Sequence, residues 1–180
     1  MDKIPITEIR IERMNETHNV SNFESYEQEL VNFLKQDALK NQMSRISVTY
    51  LWFLKTGELA GYITLLTDRI HLEESLKESF RLKGILYKAL PAVKIGRLCV
   101  DNNFLRRGIG TLMIDFSVKI GLNIHSRYCG CRFVVLDAKR GEKMDPIHFY
   151  KKHGFKELKQ RERGTIPMYL DLINDVKFGL

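Results

Sequence analysis

The sequence predicts a mixed α/β fold, with six to seven strands and about four helices in one domain over residues 1–180. Segments rich in β-branched and aromatic residues alternate with segments whose apolar residues recur every three to four positions. The turn Lys55-Thr56-Gly57-Glu58 joins two strand-like segments into a hairpin. With 180 residues, of which 44% are hydrophobic and 28% charged, the chain is long enough to bury one core.

The first half of the chain predicts three strands and two helices. The strands lie at 4–14, 46–54 and 59–67. A short helix covers 73–80, and a longer helix covers 23–42 with an acidic first turn that suits the positive end of the helix dipole. Its apolar residues recur every four positions: Tyr26, Leu30, Leu34 and Ala38.

The second half predicts four strands and two helices. The strands lie at 93–100, 132–138, 155–158 and 165–172. One helix begins after a glycine-containing loop and ends near Gly121. The other covers 146–153, because Pro146 suits a first helical turn and Gly154 ends the pattern.

The loop before the first of these two helices carries Gly108 and Gly110. Backbone N–H groups at the start of a helix bind anions such as a pyrophosphate, and glycine lets the anion reach them. The same glycines also suit a plain strand-to-helix turn. Two other nucleotide sites are excluded: Thr111 directly follows Gly110, without the lysine of a P-loop, and Met113 replaces the third glycine of a dinucleotide fingerprint.

Two motifs around this loop occur in a fixed order. Leu98-Cys99-Val100-Asp101-Asn102-Asn103-Phe104 runs into Leu105-Arg106-Arg107-Gly108-Ile109-Gly110. Some 40 residues later stands His148-Phe149-Tyr150-Lys151-Lys152-His153-Gly154-Phe155. With a strand-like segment between them, these motifs resemble the GNAT family of acetyl-CoA-dependent N-acetyltransferases over roughly residues 45 to 172.

The resemblance implies a central, mostly antiparallel twisted sheet and acetyl-CoA as the acyl donor. No metal is expected, because Cys129-Gly130-Cys131 lacks the second cysteine pair of a zinc site. Leu98 and Val100 would hold the pantetheine arm, and Tyr150 would protonate the departing thiolate. The pyrophosphate would be held by the loop residues Arg106, Arg107, Gly108, Ile109, Gly110 and Thr111.

The chain departs from the family pattern at two places. Leu105 stands where the family has glutamine or arginine, and the strand before the loop offers Lys94 and Arg97 where the family often has a glutamate base. The general base is therefore not identified. No cysteine is placed to form an acetyl-enzyme, so we expect direct attack by the amine in a ternary complex.

Three acceptor classes stay open: a small-molecule amine, a protein amine and an aminoacyl-tRNA. The last follows from further segments that resemble the subgroup containing tRNA-acetylating toxins: Phe23-Glu24-Ser25, Gly61-Tyr62-Ile63-Thr64-Leu65 and Gly96-Arg97-Leu98. A hypothesis of a different class is a catalytically inactive module of this shape that binds RNA or a protein. Many family members dimerise, which leaves a homodimer open.

The formal net charge is +7, and residues 139–163 hold nine lysines and arginines against four acids. This excess favours an anionic partner such as RNA, although a merely solvated basic face fits equally well. There is no apolar run of membrane-spanning length and no apolar leader. Together with three cysteines, an odd number, these features predict a cytoplasmic protein.

Overall fold

A computed structural model describes residues 2–139, 146–159 and 164–176. Seven strands form one sheet in the order β1-β2-β3-β4-β5-β7-β6, which confirms the predicted class. The pairs β1–β2, β2–β3, β5–β7 and β6–β7 are antiparallel. The strands are β1 (Ile9–Arg13), β2 (Val48–Leu54), β3 (Leu59–His71), β4 (Ala89–Val100), β5 (Phe133–Lys139), β6 (Lys156–Glu157) and β7 (Thr165–Asp171).

Four helical stretches accompany the sheet in the described part of the chain. The first is continuous but irregular, because a π-helical turn separates two short α-helical segments. Its parts are α1 (Gln28–Asn32), the π turn (Phe33–Asp37) and α2 (Ala38–Met43). The others are α3 (Glu74–Arg81), α4 (Ile109–Arg127) and α5 (Pro146–Lys152).

The chain divides into two compact units. Unit 1 comprises Met1–Leu66 and Ile95–Phe116, and unit 2 comprises Thr67–Lys94 and Ser117–Leu180. This division does not test the prediction of one domain over residues 1–180, which stays a prediction.

Unit 1 packs side chains on both faces of β2, as the alternation of a strand requires. On one face, Trp52 and Tyr50 both meet the ring of Phe116 edge to face, at centroid distances of 5.7 and 4.9 Å. On the other face, Leu51 and Phe53 join a buried cluster with the first helical stretch. The other buried members of this cluster are Met14, Phe23, Val31, Leu34, Ala38, Tyr62 and Cys99.

Unit 2 has its own buried cluster, built around Phe133 of β5 and Phe80 of α3, whose ring centroids are 6.0 Å apart. The guanidinium of Arg132 lies over the Phe80 ring and donates to the buried carboxylate of Asp171 at 2.8 Å. The hydrogen bond from Arg132 to Asp171 therefore ties the start of β5 to the end of β7.

Three predicted boundaries were wrong at their N-terminal ends. The strand predicted from residue 93 begins at Ala89, because Pro91 lies within β4 and does not precede it. The strand predicted from residue 4 starts at Ile9, because Ile4 hydrogen-bonds the carbonyl of Arg107 and a 3-10 turn, Ile6–Glu8, follows Pro5. The helix predicted from residue 23 starts at Gln28, because residues before it are hydrogen-bonded to the loop after β4.

The helix predicted to end near Gly121 continues to Arg127. A glycine inside a helix costs about 1 kcal/mol relative to alanine, which is why it reads as a stop in the sequence. Here a Cβ at position 121 would lie 2.8 Å from the Leu172 side chain. The glycine therefore serves close packing within unit 2 and does not end α4.

Candidate active site

The loop between β4 and α4 has an uncommon backbone conformation at two positions. Arg106 has φ +60° and Gly108 has φ +85°, so both lie in the left-handed region. A non-glycine residue there is uncommon, and such residues concentrate at functional sites. Left-handed residues beside right-handed ones turn successive N–H groups toward one side, which creates a concave anion site.

Helix α4 begins directly after these two residues. The carbonyl of Gly108 accepts the N–H of Leu112 at 3.2 Å, so the helical ladder starts at Gly108. Ile109, Gly110 and Thr111 therefore occupy the first turn, at the positive end of the helix dipole. The geometry of the loop suits a pyrophosphate.

The two loop arginines add positive charge to this helix end. Arg106 is exposed, and the guanidinium of Arg107 lies 5.9 Å from the centroid of the Phe104 ring. Within the described residues, no carboxylate lies within 4 Å of either guanidinium. Their charge is therefore not cancelled by a local ion pair.

Strand β4 brings Leu98 and Val100, both half-buried, to the loop on one face of the strand. Cys99 points to the opposite face, inside the buried cluster of unit 1. Burial raises the pKa of the Cys99 thiol to about 11, so the group is almost entirely protonated near neutral pH.

Gly61 of β3 allows the closest approach beneath this end of β4. A Cβ at position 61 would lie 2.5 Å from the Met113 side chain and 2.7 Å from the carbonyl oxygen of Cys99. Only glycine fits at this distance from a backbone atom. The sequence contained this residue within a family-like segment, but its packing role appears only in the structure.

Asp101 is a buried residue whose role the sequence analysis missed. Its carboxylate accepts the N–H of Asn103 at 2.9 Å and the N–H of Glu24 at 2.9 Å. The first bond caps the 3-10 turn Asn102–Phe104, and an aspartate followed by a short turn is the signal that could have revealed it. The second bond holds the entry to the first helical stretch.

The π turn lies beside a cationic side chain of β4. The guanidinium of Arg97 is 5.0 Å from the centroid of the Phe33 ring, and that ring stacks on Tyr62 at 6.4 Å. The Tyr62 hydroxyl donates to the carbonyl of Leu30 at 2.7 Å, and burial raises its pKa. A side chain that enters the helical hydrogen-bond ladder accounts for such an irregular turn.

Tyr150 lies on α5 in unit 2, whereas the eight predicted cofactor residues all lie in unit 1. Tyr150 is buried and contacts the rings of Phe149 and Phe155 at centroid distances of 5.3 and 5.7 Å. His153 donates from its ring nitrogen to the carbonyl of Phe149 at 2.8 Å. His153 therefore satisfies a carbonyl in the last turn of α5.

Lys94 cannot act as a base in its present surroundings. Its ammonium lies 2.8 Å from the carboxylate of Asp137 and 3.4 Å from that of Asp68. Burial lowers the pKa of Lys94, but these two carboxylates outweigh that effect and the net pKa is raised. The amine consequently stays protonated.

Part of the basic window at 139–163 is locally neutralised. Three of its lysines form ion pairs: Lys151 with Glu157, Lys156 with Asp175 and Lys159 with Glu73. The window's charges at 140–145 and 160–163 lie outside the described residues. The excess positive charge in the sequence is therefore a weaker indication of RNA binding than the charge count alone suggested.

In the ranges that the structure covers, no group of three or more histidine, cysteine, aspartate or glutamate side chains is arranged to hold a metal ion. None of the helices in these ranges combines the length and apolarity needed to cross a membrane.

The sequence of the chain was compared with models of known protein families. Residues 47–157, more than half of the chain, match the model of the acetyltransferase (GNAT) domain. The chain therefore belongs to the GNAT acetyltransferase family.

Solved structures with the same fold include KacT and the toxin AtaT. A crystal structure of a tyrosine-to-phenylalanine mutant of KacT aligns with a TM-score of 0.76 and 21% identity, over 92% of this chain and 96% of that chain. AtaT complexed with acetyl-methionyl-tRNAfMet aligns with a TM-score of 0.75 and 22% identity, over 91% of this chain and 94% of that chain. AtaTR bound with acetyl-CoA aligns with a TM-score of 0.70 and 19% identity, over 93% of this chain and 95% of that chain. These likenesses show the fold.

Proposed function

We propose that this chain is a cytoplasmic, single-domain N-acetyltransferase that moves the acetyl group of acetyl-CoA to a primary amine. The observation that carries the proposal is the β4–α4 loop. It combines two left-handed residues, a helix N-terminus and two arginines without a carboxylate partner in the described chain. The binding of acetyl-CoA in the AtaTR structure supports the same donor here.

In this proposal the loop binds the pyrophosphate through backbone amides of the first turn of α4, while Arg106 and Arg107 balance its charge. Leu98 and Val100 present the edge of β4 to the pantetheine arm. A β4 backbone N–H then donates to the acetyl carbonyl oxygen, where negative charge develops during attack.

The transfer itself exchanges one bond for another. The acceptor nitrogen forms a bond to the acetyl carbon, the carbon–sulfur bond breaks, and the sulfur leaves with the electron pair. Tyr150 donates its hydroxyl proton to that sulfur, the nitrogen releases a proton to water, and water returns a proton to the tyrosinate. A tyrosine with a pKa of about 10 is well matched to a thiolate of similar basicity.

Direct attack by the amine is consistent with the protonated thiol of Cys99. A two-step route through an acetyl-cysteine needs a thiolate nucleophile. The buried Cys99 has a raised thiol pKa of about 11, so roughly one molecule in three thousand carries the thiolate at pH 7.5. The amine is therefore the group that attacks the thioester.

The acceptor that we favour is the α-amine of an aminoacyl-tRNA. Strand β4 carries no carboxylate, and Lys94 is held protonated by Asp68 and Asp137. An α-amine with a pKa of about 8 is roughly one quarter neutral at pH 7.5, whereas only about one lysine side chain in a thousand is neutral. An α-amine thus needs little help from a base, and the tRNA complex of AtaT supports this class.

Calorimetric titration with acetyl-CoA tests the donor site, and transfer assays over small amines, peptides and aminoacyl-tRNAs test the acceptor. We expect micromolar binding and transfer to aminoacyl-tRNA, with deacylated tRNA as the unreactive control. Binding without transfer to any aminoacyl-tRNA would leave the donor site intact and overturn the acceptor. Absence of acetyl-CoA binding would overturn the enzyme and favour the inactive RNA- or protein-binding module.

A further inference from the structure

The N-terminal segment, residues 2–4, lies against the loop between β4 and α4. The N–H of Ile4 donates to the carbonyl oxygen of Arg107 at 3.0 Å, and Ile4 itself is buried with 7% of its surface exposed. In the reverse direction, Nε of Arg107 donates to the carbonyl of Asp2 at 3.5 Å. The residue between these two anchors, Lys3, is consequently held at the loop.

The aliphatic part of Lys3 runs along Gly108. A Cβ built at position 108 would lie 3.8 Å from Cγ, 3.9 Å from Cβ and 4.0 Å from Cδ of Lys3. The ammonium group is only two bonds beyond Cδ, so it stays within reach of the space in front of the first turn of α4. No carboxylate in the described ranges forms an ion pair with it.

The acidic groups nearby do not cancel this charge. Glu8, which lines the same small cavity of about 180 Å³ as Lys3 and Arg107, is paired with Lys55 at 3.5 Å. Asp2, next to Lys3, and Asp115, in the second turn of α4, are both exposed, and neither forms an ion pair with a described residue. Lys3, Arg106 and Arg107 thus form a cluster of three cations around one glycine.

We propose that Lys3 is a third cationic ligand of the acetyl-CoA pyrophosphate, held there by the anchoring of Ile4 on the loop. The inference rests on the proposed donor site. A motif search of the loop cannot find this residue, because Lys3 is separated from Gly108 by more than one hundred positions. Its ammonium stabilises the bound phosphates by a charge-assisted contact, as loop arginines do.

The test is calorimetric titration of the full chain and three variants with acetyl-CoA. Lys3→Met removes the charge but keeps the aliphatic packing on Gly108, and Lys3→Arg restores a cation. Lys55→Met is the matched control, since Lys55 lines the same cavity but pairs with Glu8. We expect Lys3→Met to raise the Kd about three- to tenfold, and the other two to stay within about twofold.

Donor analogues locate the contact. The loss in Lys3→Met should persist with 3′-dephospho-acetyl-CoA, which retains the pyrophosphate, and should vanish with acetyl-pantetheine, which lacks it. Equal affinity of Lys3→Met and the unchanged chain for acetyl-CoA would overturn the role of Lys3 alone. A loss of the same size with acetyl-pantetheine would also overturn it, and failure of the unchanged chain to bind acetyl-CoA would overturn the donor site as well.

Discussion

The carboxylate of Asp101 accepts the backbone N–H of Glu24 at 2.9 Å, although the two residues are 77 positions apart. The same carboxylate caps the turn that leads to the loop between β4 and α4. One buried side chain therefore fixes both the entry to the first helical stretch and the exit from β4.

Replacement of Asp101 by alanine should lower the free energy of unfolding by about 1.5–3 kcal/mol, because it removes the buried carboxylate that accepts the N–H groups of Glu24 and Asn103. Urea unfolding at pH 7 measures this change. Asn19→Ala is the control, since Asn19 makes a similar bond to the N–H of Ser21 at an exposed site. A loss below 1 kcal/mol for Asp101→Ala would contradict the anchoring role.

Tyr150→Phe should reduce kcat well over tenfold and change the Kd of acetyl-CoA by less than about twofold. The substitution removes the hydroxyl proton but keeps the ring that packs between Phe149 and Phe155. Steady-state kinetics and calorimetry together measure the two effects. Unchanged turnover would show that another group protonates the thiolate.

Gly108→Glu should abolish acetyl-CoA binding. The new side chain places a carboxylate and added bulk at the proposed pyrophosphate position, and φ +85° makes any L-residue strained there. Gly57→Glu is a matched control, because Gly57 has φ +101° in the hairpin turn, with no neighbouring atom within 4 Å of its missing Cβ. The Gly57→Glu variant should have similar backbone strain but bind acetyl-CoA normally. Normal binding by Gly108→Glu would place the phosphates elsewhere.

Cys99→Ala should retain turnover within about threefold, since a thiol with a pKa raised to about 11 by burial is a poor nucleophile at neutral pH. Intact-protein mass spectrometry after incubation with acetyl-CoA should find no acetyl group on the unchanged chain. A trapped acetyl-enzyme that disappears in Cys99→Ala would replace direct attack by a two-step route.

Asp171 should contribute stability near neutral pH that acid removes. Burial raises the pKa of its carboxyl, but the Arg132 hydrogen bond and the N–H groups of Ile173 and Asn174 outweigh burial, so the net pKa lies below its usual value. The contribution is therefore complete above the unfolded pKa of about 3.9 and is lost as pH falls through the lower folded value.

Asp171→Asn should cost about 2–4 kcal/mol at pH 7, because it leaves the charge of Arg132 unpaired. The difference in unfolding free energy from the unchanged chain should shrink below pH 4. Urea unfolding at pH 7 and again below pH 4 measures this change. Asp37→Asn, at an exposed site, should change stability by less than about 0.5 kcal/mol throughout. A difference independent of pH would exclude the ion pair as its cause.

The sequence by itself determined the family, the strand and helix content and the position of the glycine-containing loop before α4. Each of these is a local signal: the alternation in β2, the periodicity that places α4, and the spacing of two short motifs. Local patterns follow directly from side chains a few positions apart, so they can be read without a structure.

Only the tertiary structure decided which distant groups meet. Asp101 hydrogen-bonds Glu24, so the first helix begins only at Gln28. Gly121 packs against Leu172 within α4, and the hydrogen bond of Ile4 to Arg107 holds Lys3 beside Gly108. None of these contacts leaves a periodic pattern, because each joins side chains or backbone groups far apart in the chain. Their energies arise from burial and hydrogen bonding that exist only once the chain has folded.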